Sequence, residues 1–359
     1  MHLTKHPLAL GALLSASTAS AAPQGGFDYP TPVGTVPMMR FSCTQLVVDR
    51  IDPLVNPGSV PSPHLHQIVG GNSFTPSMDP LAHDLPSKST CTTCTFSEDF
   101  SNYWTAVLFF RARNGTYKRV AQHQEEGLRG NGGITVYYIP NADSKQTVTA
   151  FKPGFRMLVG DASAKTPNAP RKVCHRCMPK SGDNRNINCG PPDTEELPSK
   201  HCVGGIRTVI TFPTCWDGKN LDSPDHQSHV AYAEGATPYA VGPTAKCPDS
   251  HPVAIPQVMY EVRWQTQEFG PELWPEDGSQ PFVWSTGDPK GYSNHGDYVF
   301  GWQGDALQRA MDARCDNNHC SVLKEQPVEE AEKCAVARHV EEDIDGWLTK
   351  LPGDVEVQY

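Results

Sequence analysis

The sequence predicts a mainly β fold, an antiparallel sandwich or jelly roll with long stapled loops and a short helical C-terminal region. Two observations carry this prediction. The 33 prolines and 30 glycines punctuate the chain every few residues, and the segments between them are short and rich in Val, Ile, Tyr, Phe and Thr. No helical pattern recurs regularly between those segments, which disfavours a parallel sheet with crossover helices.

Six segments read as strands: Gln45 to Ile51, Tyr103 to Arg113, Gly133 to Ile139, Phe155 to Asp161, Ile206 to Phe212 and Gln257 to Trp264. After Gly304 the texture changes. "DALQRAMDARC" and "VEEAEKCAVARHVEEDIDGWL" have helical spacing and good helix formers, which predicts helices near the C-terminus.

Residues 1–22 have the composition of a secretory signal peptide: a lysine near the start, an apolar stretch from Leu8 to Leu14 and small residues before Ala22. Residues 23–37 read as a flexible leader, 38–310 as a single β-rich domain and 311–359 as a helical extension. The apolar stretch is too short to span a bilayer and no later run is long enough, so the expectation is export without a membrane anchor.

Lys plus Arg is 30 against 40 Asp plus Glu, and no basic stripe offers to neutralise a phosphate backbone, so nucleic acid is not expected as a partner. Twelve cysteines, an even number, predict up to six disulfides in an oxidising compartment. "CTTC" (Cys91 to Cys94) and "CHRC" (Cys174 to Cys177) also have zinc-knuckle spacing, and export favours disulfides. Asn114-Gly115-Thr116 is a glycosylation sequon and predicts an exposed loop.

Three clusters carry candidate chemistry. In "SPHLHQIVGG", the two-residue period of a strand would put His64 and His66 on one face, able to offer two imidazoles to one metal ion or substrate; backbone-bonded structural histidines are the competing reading. "CWDGKNLDSPDHQSHVAY" holds Trp216, Asp225, His226 and His229 in a loop after a strand, where a carboxylate can orient an imidazole, or where the aspartates serve only to make turns. "WSTGDPKGYSNHGDYVFGW" holds Tyr292, His295, Asp297 and Trp302 among glycines. Its aromatics, with Trp216, are candidate stacking platforms for sugar rings, against the ordinary core role of such residues.

No G-x-S-x-G elbow and no H-E-x-x-H is present, so serine esterase and zincin chemistries lack a motif. No motif requires a cofactor. A divalent metal is compatible with His64, His66, His226 and His229.

"SPHLHQIVGGNSF", "CTTCTFSEDFSNYWTAVLFFRARNGTYKRV", "GFRMLVGD", "FPTCWDGKNLDSPDHQSHVAYA" and "GDPKGYSNHGDYVFGW" resemble the signature blocks of the secreted fungal domain-of-unknown-function family numbered nineteen-ninety-six, over about Pro37 to Ala310. The resemblance implies an extracellular fungal protein. Members are sometimes joined to WSC carbohydrate-binding modules, which points to cell-wall polysaccharide as partner. It supplies no reaction.

The functional expectation is therefore a secreted carbohydrate-active protein, a polysaccharide hydrolase or lyase in its enzymatic form. His66 or His229 would be general acid or base, Asp225 or Asp297 its complement, and Trp216, Tyr292 and Trp302 the sugar contacts. Arg207 is the candidate to neutralise a uronate. The alternatives are a non-catalytic wall-binding protein and a histidine-rich metal-binding protein.

Overall fold

The computed structural model describes residues 37–124, 128, 132–140, 147–167, 172–180, 189–235 and 246–358. The predicted signal peptide and nearly all of the leader lie outside them.

In chain order the strands are β1 (Met39–Asp49), β2 (His66–Gly70), β3 (Asn102–Ala106), β4 (Leu108–Arg111), β5 (Tyr117–Arg119), β6 (Gly133–Ile139), β7 (Arg156–Val159) and β8 (Val173–Cys177). They continue with β9 (Ile206–Thr211), β10 (Cys215–Trp216), β11 (Val230–Ala231), β12 (Val253–Ala254), β13 (Gln257–Trp264), β14 (Phe282–Trp284) and β15 (Gly296–Val299). Nine form one sheet in the order β7-β15-β3-β2-β1-β6-β13-β9-β8, curled into a half-barrel. Its pairings are antiparallel throughout. Two three-stranded sheets, β11-β10-β12 and β14-β4-β5, complete the β structure. The mainly β expectation is met.

Alternation along the strands divides the core. Phe41, Val136, Tyr138, Tyr260 and Tyr298 belong to the large cluster on one face of the sheet. Ile68, Trp104 and Val299 pack on the other with Leu46, Ile51, Leu54 and Phe74. A buried hydroxyl chain runs through the larger core: Tyr103 donates to Asp99 at 2.6 Å and contacts Tyr138, which contacts Tyr298 at 2.8 Å.

All twelve cysteines are paired: Cys43–Cys94, Cys91–Cys334, Cys174–Cys189, Cys177–Cys202, Cys215–Cys247 and Cys315–Cys320. Neither C-x-x-C pair is therefore a zinc knuckle. Cys91 and Cys94 part to different partners, as do Cys174 and Cys177.

Two elements differ from the sequence expectation. The single strand read over Tyr103 to Arg113 is two strands in two sheets, because the Val107 N–H leaves the ladder and donates to Ser285 Oγ at 3.1 Å. Past Gly304, α1 (Ala306–Asp312) forms as expected, but Val328 to Leu348 is helical only over α2 (Val328–Ala331). The chain beyond spends its polar groups on the strands: the His339 and Val340 N–H groups donate to the Asp49 carboxylate, and Leu348 bridges Tyr117. Cys334, held to Cys91, fixes where that run begins.

Candidate metal centre

Sheet register brings two distant segments together. His66 is opposite Ala106 on β3. On the other side of β3, Gly296 is opposite Thr105, which puts His295 level with Ala106. The three residues form a row across the strands, and cross-strand neighbours share a face. Ala106 is the small member of the row, so the two imidazoles can close over it.

His64 joins from the turn before β2, its ring 4.2 Å from that of His66. The sequence expectation puts both on one face of a strand; His64 instead lies before the strand, and the turn brings its ring beside that of His66. His64 Nε2 and His66 Nε2 both converge on His295 Nε2, at 3.2 and 3.3 Å. The rings are buried, with relative exposures of 6% (His64), 0% (His66) and 2% (His295).

The loop before β15 is built to deliver His295. The Asp288 carboxylate accepts the N–H groups of Lys290, Gly291 and Ser293, and Thr105 Oγ1 donates to the His295 carbonyl at 2.6 Å. On the flank, Gly160 has φ +92° and a Cβ there would lie 2.7 Å from the Asn294 carbonyl oxygen. Only glycine fits both the angle and the approach.

Protonation follows from the surroundings. Desolvation lowers the pKa of all three histidines, that of His66 to about 4, and in His64 the neighbouring imidazoles add to the effect. At neutral pH the rings are uncharged. His295 Nδ1 donates to the Ser293 carbonyl at 2.9 Å, which leaves its Nε2 as a bare lone pair, the tautomer that a metal ligand needs.

Two hydrogen bonds into one in-plane lone pair are a poor arrangement for that nitrogen. Three lone pairs around one cation are a good one: tetrahedral bonds of about 2.0–2.1 Å put the nitrogens about 3.3–3.4 Å apart, close to the two distances observed.

Beside them lies Asp297, two residues after His295 and fully buried. Its Oδ2 is 3.7 Å from His295 Nε2, and neither carboxylate oxygen has a hydrogen-bond partner among the described residues. Desolvation, with the Asp52 charge nearby, pushes its pKa far up. An ionised carboxylate without a partner is not stable in such a place; a cation would supply one. Asp52 is itself buried, with Oδ1 accepting the Leu54 and Val55 N–H groups at 3.0 Å each.

The remaining predicted residues do not join this centre. His229 has both ring nitrogens engaged, Nε2 with the Arg156 carbonyl at 2.8 Å and Nδ1 with Ser223 Oγ at 2.9 Å, while His226 pairs with Asp222 at 2.7 Å. The four-histidine metal set His64, His66, His226 and His229 is therefore corrected: His295 takes the place of the last two. Asp225 makes a turn, accepting from Ser223, Gln227 and Ser228; those bonds outweigh burial and keep its pKa low.

The expected stacking platforms are also corrected. Trp216 and Trp302 are 4% and 1% exposed, with Trp302 edge-on to Phe41 and Tyr138. Tyr292 is partly exposed and donates to Glu196. Arg207 is buried against Asp193 at 3.3 Å, so it neutralises a protein carboxylate. Asn114 is exposed in the turn between β4 and β5, its Oδ1 accepting from Thr116. Ala106 and Asp52 are not singled out by the sequence reading above.

Among the described residues, one other group of metal-ligating type comes together, Cys43, Cys94 and Asp99, and its sulfurs are consumed in a disulfide. No curated protein matches the chain, and no solved structure matches it. A family model does, over residues 52–302, a span that includes His64, His66, His295 and Asp297. The chain belongs to the family described as Domain of unknown function (DUF1996).

Proposed function

We propose that this is a secreted metalloprotein of the cell-wall environment, in which His64, His66 and His295 hold one divalent transition metal ion with Asp297 beside it. The observation that carries the reading is the convergence of three Nε2 atoms at 3.2 and 3.3 Å in a buried pocket of uncharged imidazoles. Three imidazoles and a carboxylate are borderline donors, suited to zinc and its first-row neighbours rather than to calcium or magnesium. The closed surroundings favour a tightly held ion.

Export is supported by the signal-peptide composition and the six disulfides. Among the described residues no helix is long and apolar enough to cross a membrane. Glycan as the working partner rests on the family resemblance. His66 and His229 serve poorly as a free general base, because Nε2 of the first faces His295 and both nitrogens of the second are hydrogen-bonded.

The test is elemental analysis of the purified protein and of His66→Ala and His295→Ala. One equivalent of a transition metal in the wild type and its loss in both variants is the expected result. A wild-type protein that stays metal-free after incubation with zinc, copper, manganese and ferrous salts overturns the proposal.

A further inference from the structure

The C-terminal segment 334–358 grips the residues that flank two of the three histidines. It has no strand or α-helix of its own, only the 3-10 turn Pro352–Asp354 and a bridge from Leu348 to Tyr117. One disulfide, Cys91–Cys334, anchors its start. A segment with so few ladder hydrogen bonds is among the first to open.

The first grip is beside His66. Asp49 stands opposite it on β1, and cross-strand neighbours share a face. The Asp49 carboxylate accepts the N–H groups of His339 and Val340, and Asp49 is 1% exposed. Cys334 and Val336 pack with Ile68 and Trp104, on the face to which the imidazoles belong.

The second grip is on the turn that carries His64. Glu342 Oε1 accepts from Arg50 Nε at 2.6 Å, and Arg50 Nη1 donates to the Ser62 carbonyl at 3.1 Å. Ser62 Oγ donates in turn to the His64 carbonyl at 3.1 Å. The Gly353 N–H donates to Glu342 Oε2 at 3.1 Å, and a Cβ on Gly353 would lie 2.6 Å from Arg50 Nη1, so the chain passes close over the guanidinium. Leu65, between the two ligands, is buried in one cluster with Ile344 and Leu351.

We propose that segment 334–358 is a strap that closes the metal centre, and that the ion enters and leaves when the strap lifts. The proposal rests on the metal reading above. Lifting the strap removes two N–H donors from Asp49, whose carboxylate then stands uncovered beside His66 as a landing point for a cation, and it releases the Ser62–His64 turn. The strap lies outside the residues matched by the family model, 52–302, so the gate and the ligands come from different parts of the chain.

The test is the rate at which the full-length protein, loaded with zinc, or with copper if zinc is not retained, yields its ion to an excess of a chromophoric chelator. Wild type, Leu351→Asp and Glu342→Ala are compared, with thermal melting to confirm folding. Leu351→Asp puts a charge into the apolar seat of the strap, and Glu342→Ala removes its hold on Arg50; neither residue is a ligand. Release should be about tenfold faster in the first and about threefold faster in the second. Hydrogen exchange of the metal-free proteins should show faster exchange over 49–66 in both variants, with β6 and β13 unchanged. If Leu351→Asp does not fold, Glu342→Ala decides. Release at the wild-type rate in the folded variants overturns the gate and leaves the metal reading standing. Unchanged exchange over 49–66 overturns it whether or not an ion binds, whereas a wild type that retains neither metal overturns the metal reading and the gate with it.

Discussion

His66, on β2, and His295, just before β15, stand 229 residues apart in sequence, yet their Nε2 atoms are 3.3 Å apart. The strand between them, β3, puts Ala106 in line with both. Side-chain size at that position therefore controls whether the two rings can share an ion. Ala106→Leu should force a branched side chain between them, costing about 1–3 kcal/mol of stability by overpacking and weakening metal binding at least tenfold. Competition against a chromophoric chelator measures this. Binding unchanged in a folded Ala106→Leu protein would mean the rings do not meet over this residue.

Asp99 predicts a pH dependence of stability. Burial raises its pKa from 3.8 to about 7, partly opposed by hydrogen bonds from Tyr103 and Ser101. Between those values the folded protein keeps a proton that the unfolded chain has released. The folded state thus binds more protons, and stability falls as pH rises from about 4 to about 7, by up to about 1.4 kcal/mol per pH unit from this one group. Asp99→Asn should remove that part of the slope. Denaturant titrations of both proteins at pH 4.5, 6 and 7.5 compare them, and parallel curves would refute the assignment.

The Cys91–Cys334 bridge spans 243 residues and ties the C-terminal run to the main sheet. Replacing both cysteines by serine should cost about 2–5 kcal/mol. The tail should then open before the core does, with limited proteolysis cutting first beyond Cys334. Simultaneous loss of all regions would show that the tail has no separate stability.

His229 separates the metal account from a two-cluster active site. Its imidazole joins the Arg156 carbonyl to Ser223 Oγ, so His229→Ala leaves buried polar groups unmet. The expected cost is about 1–3 kcal/mol of stability, with metal content at the wild-type level. Loss of metal in this variant would bring the 216–229 loop into the centre.

Much of the fold was legible in the sequence. Gly133–Ile139 and Gln257–Trp264 appear with the expected bounds, because long β-rich runs between breakers leave few alternatives. Shorter strands such as Val173–Cys177 are too brief to stand out among the surrounding breakers. The helix expected over Val328 to Leu348 has the right local propensity, but its backbone groups are drawn to Asp49 and Tyr117, a tertiary choice that no window can contain. At the centre, the spacing of His64 and His66 marked the pair, but His64 lies outside β2, so the turn and not the strand period brings the two rings together. That His295 and not His229 completes the set depends on β15 lying one strand away from β2, and strand order leaves no mark in spacing. The tryptophans flanking the third cluster looked like platforms because burial is not readable from residue type.

The most direct measurement is X-ray absorption at the metal edge of the purified protein, after reconstitution if needed. The account predicts one ion per chain with three imidazole nitrogens at about 2.0–2.1 Å, and fewer imidazoles in His66→Ala. An ion without imidazole scattering, or no bound ion at all, would contradict it.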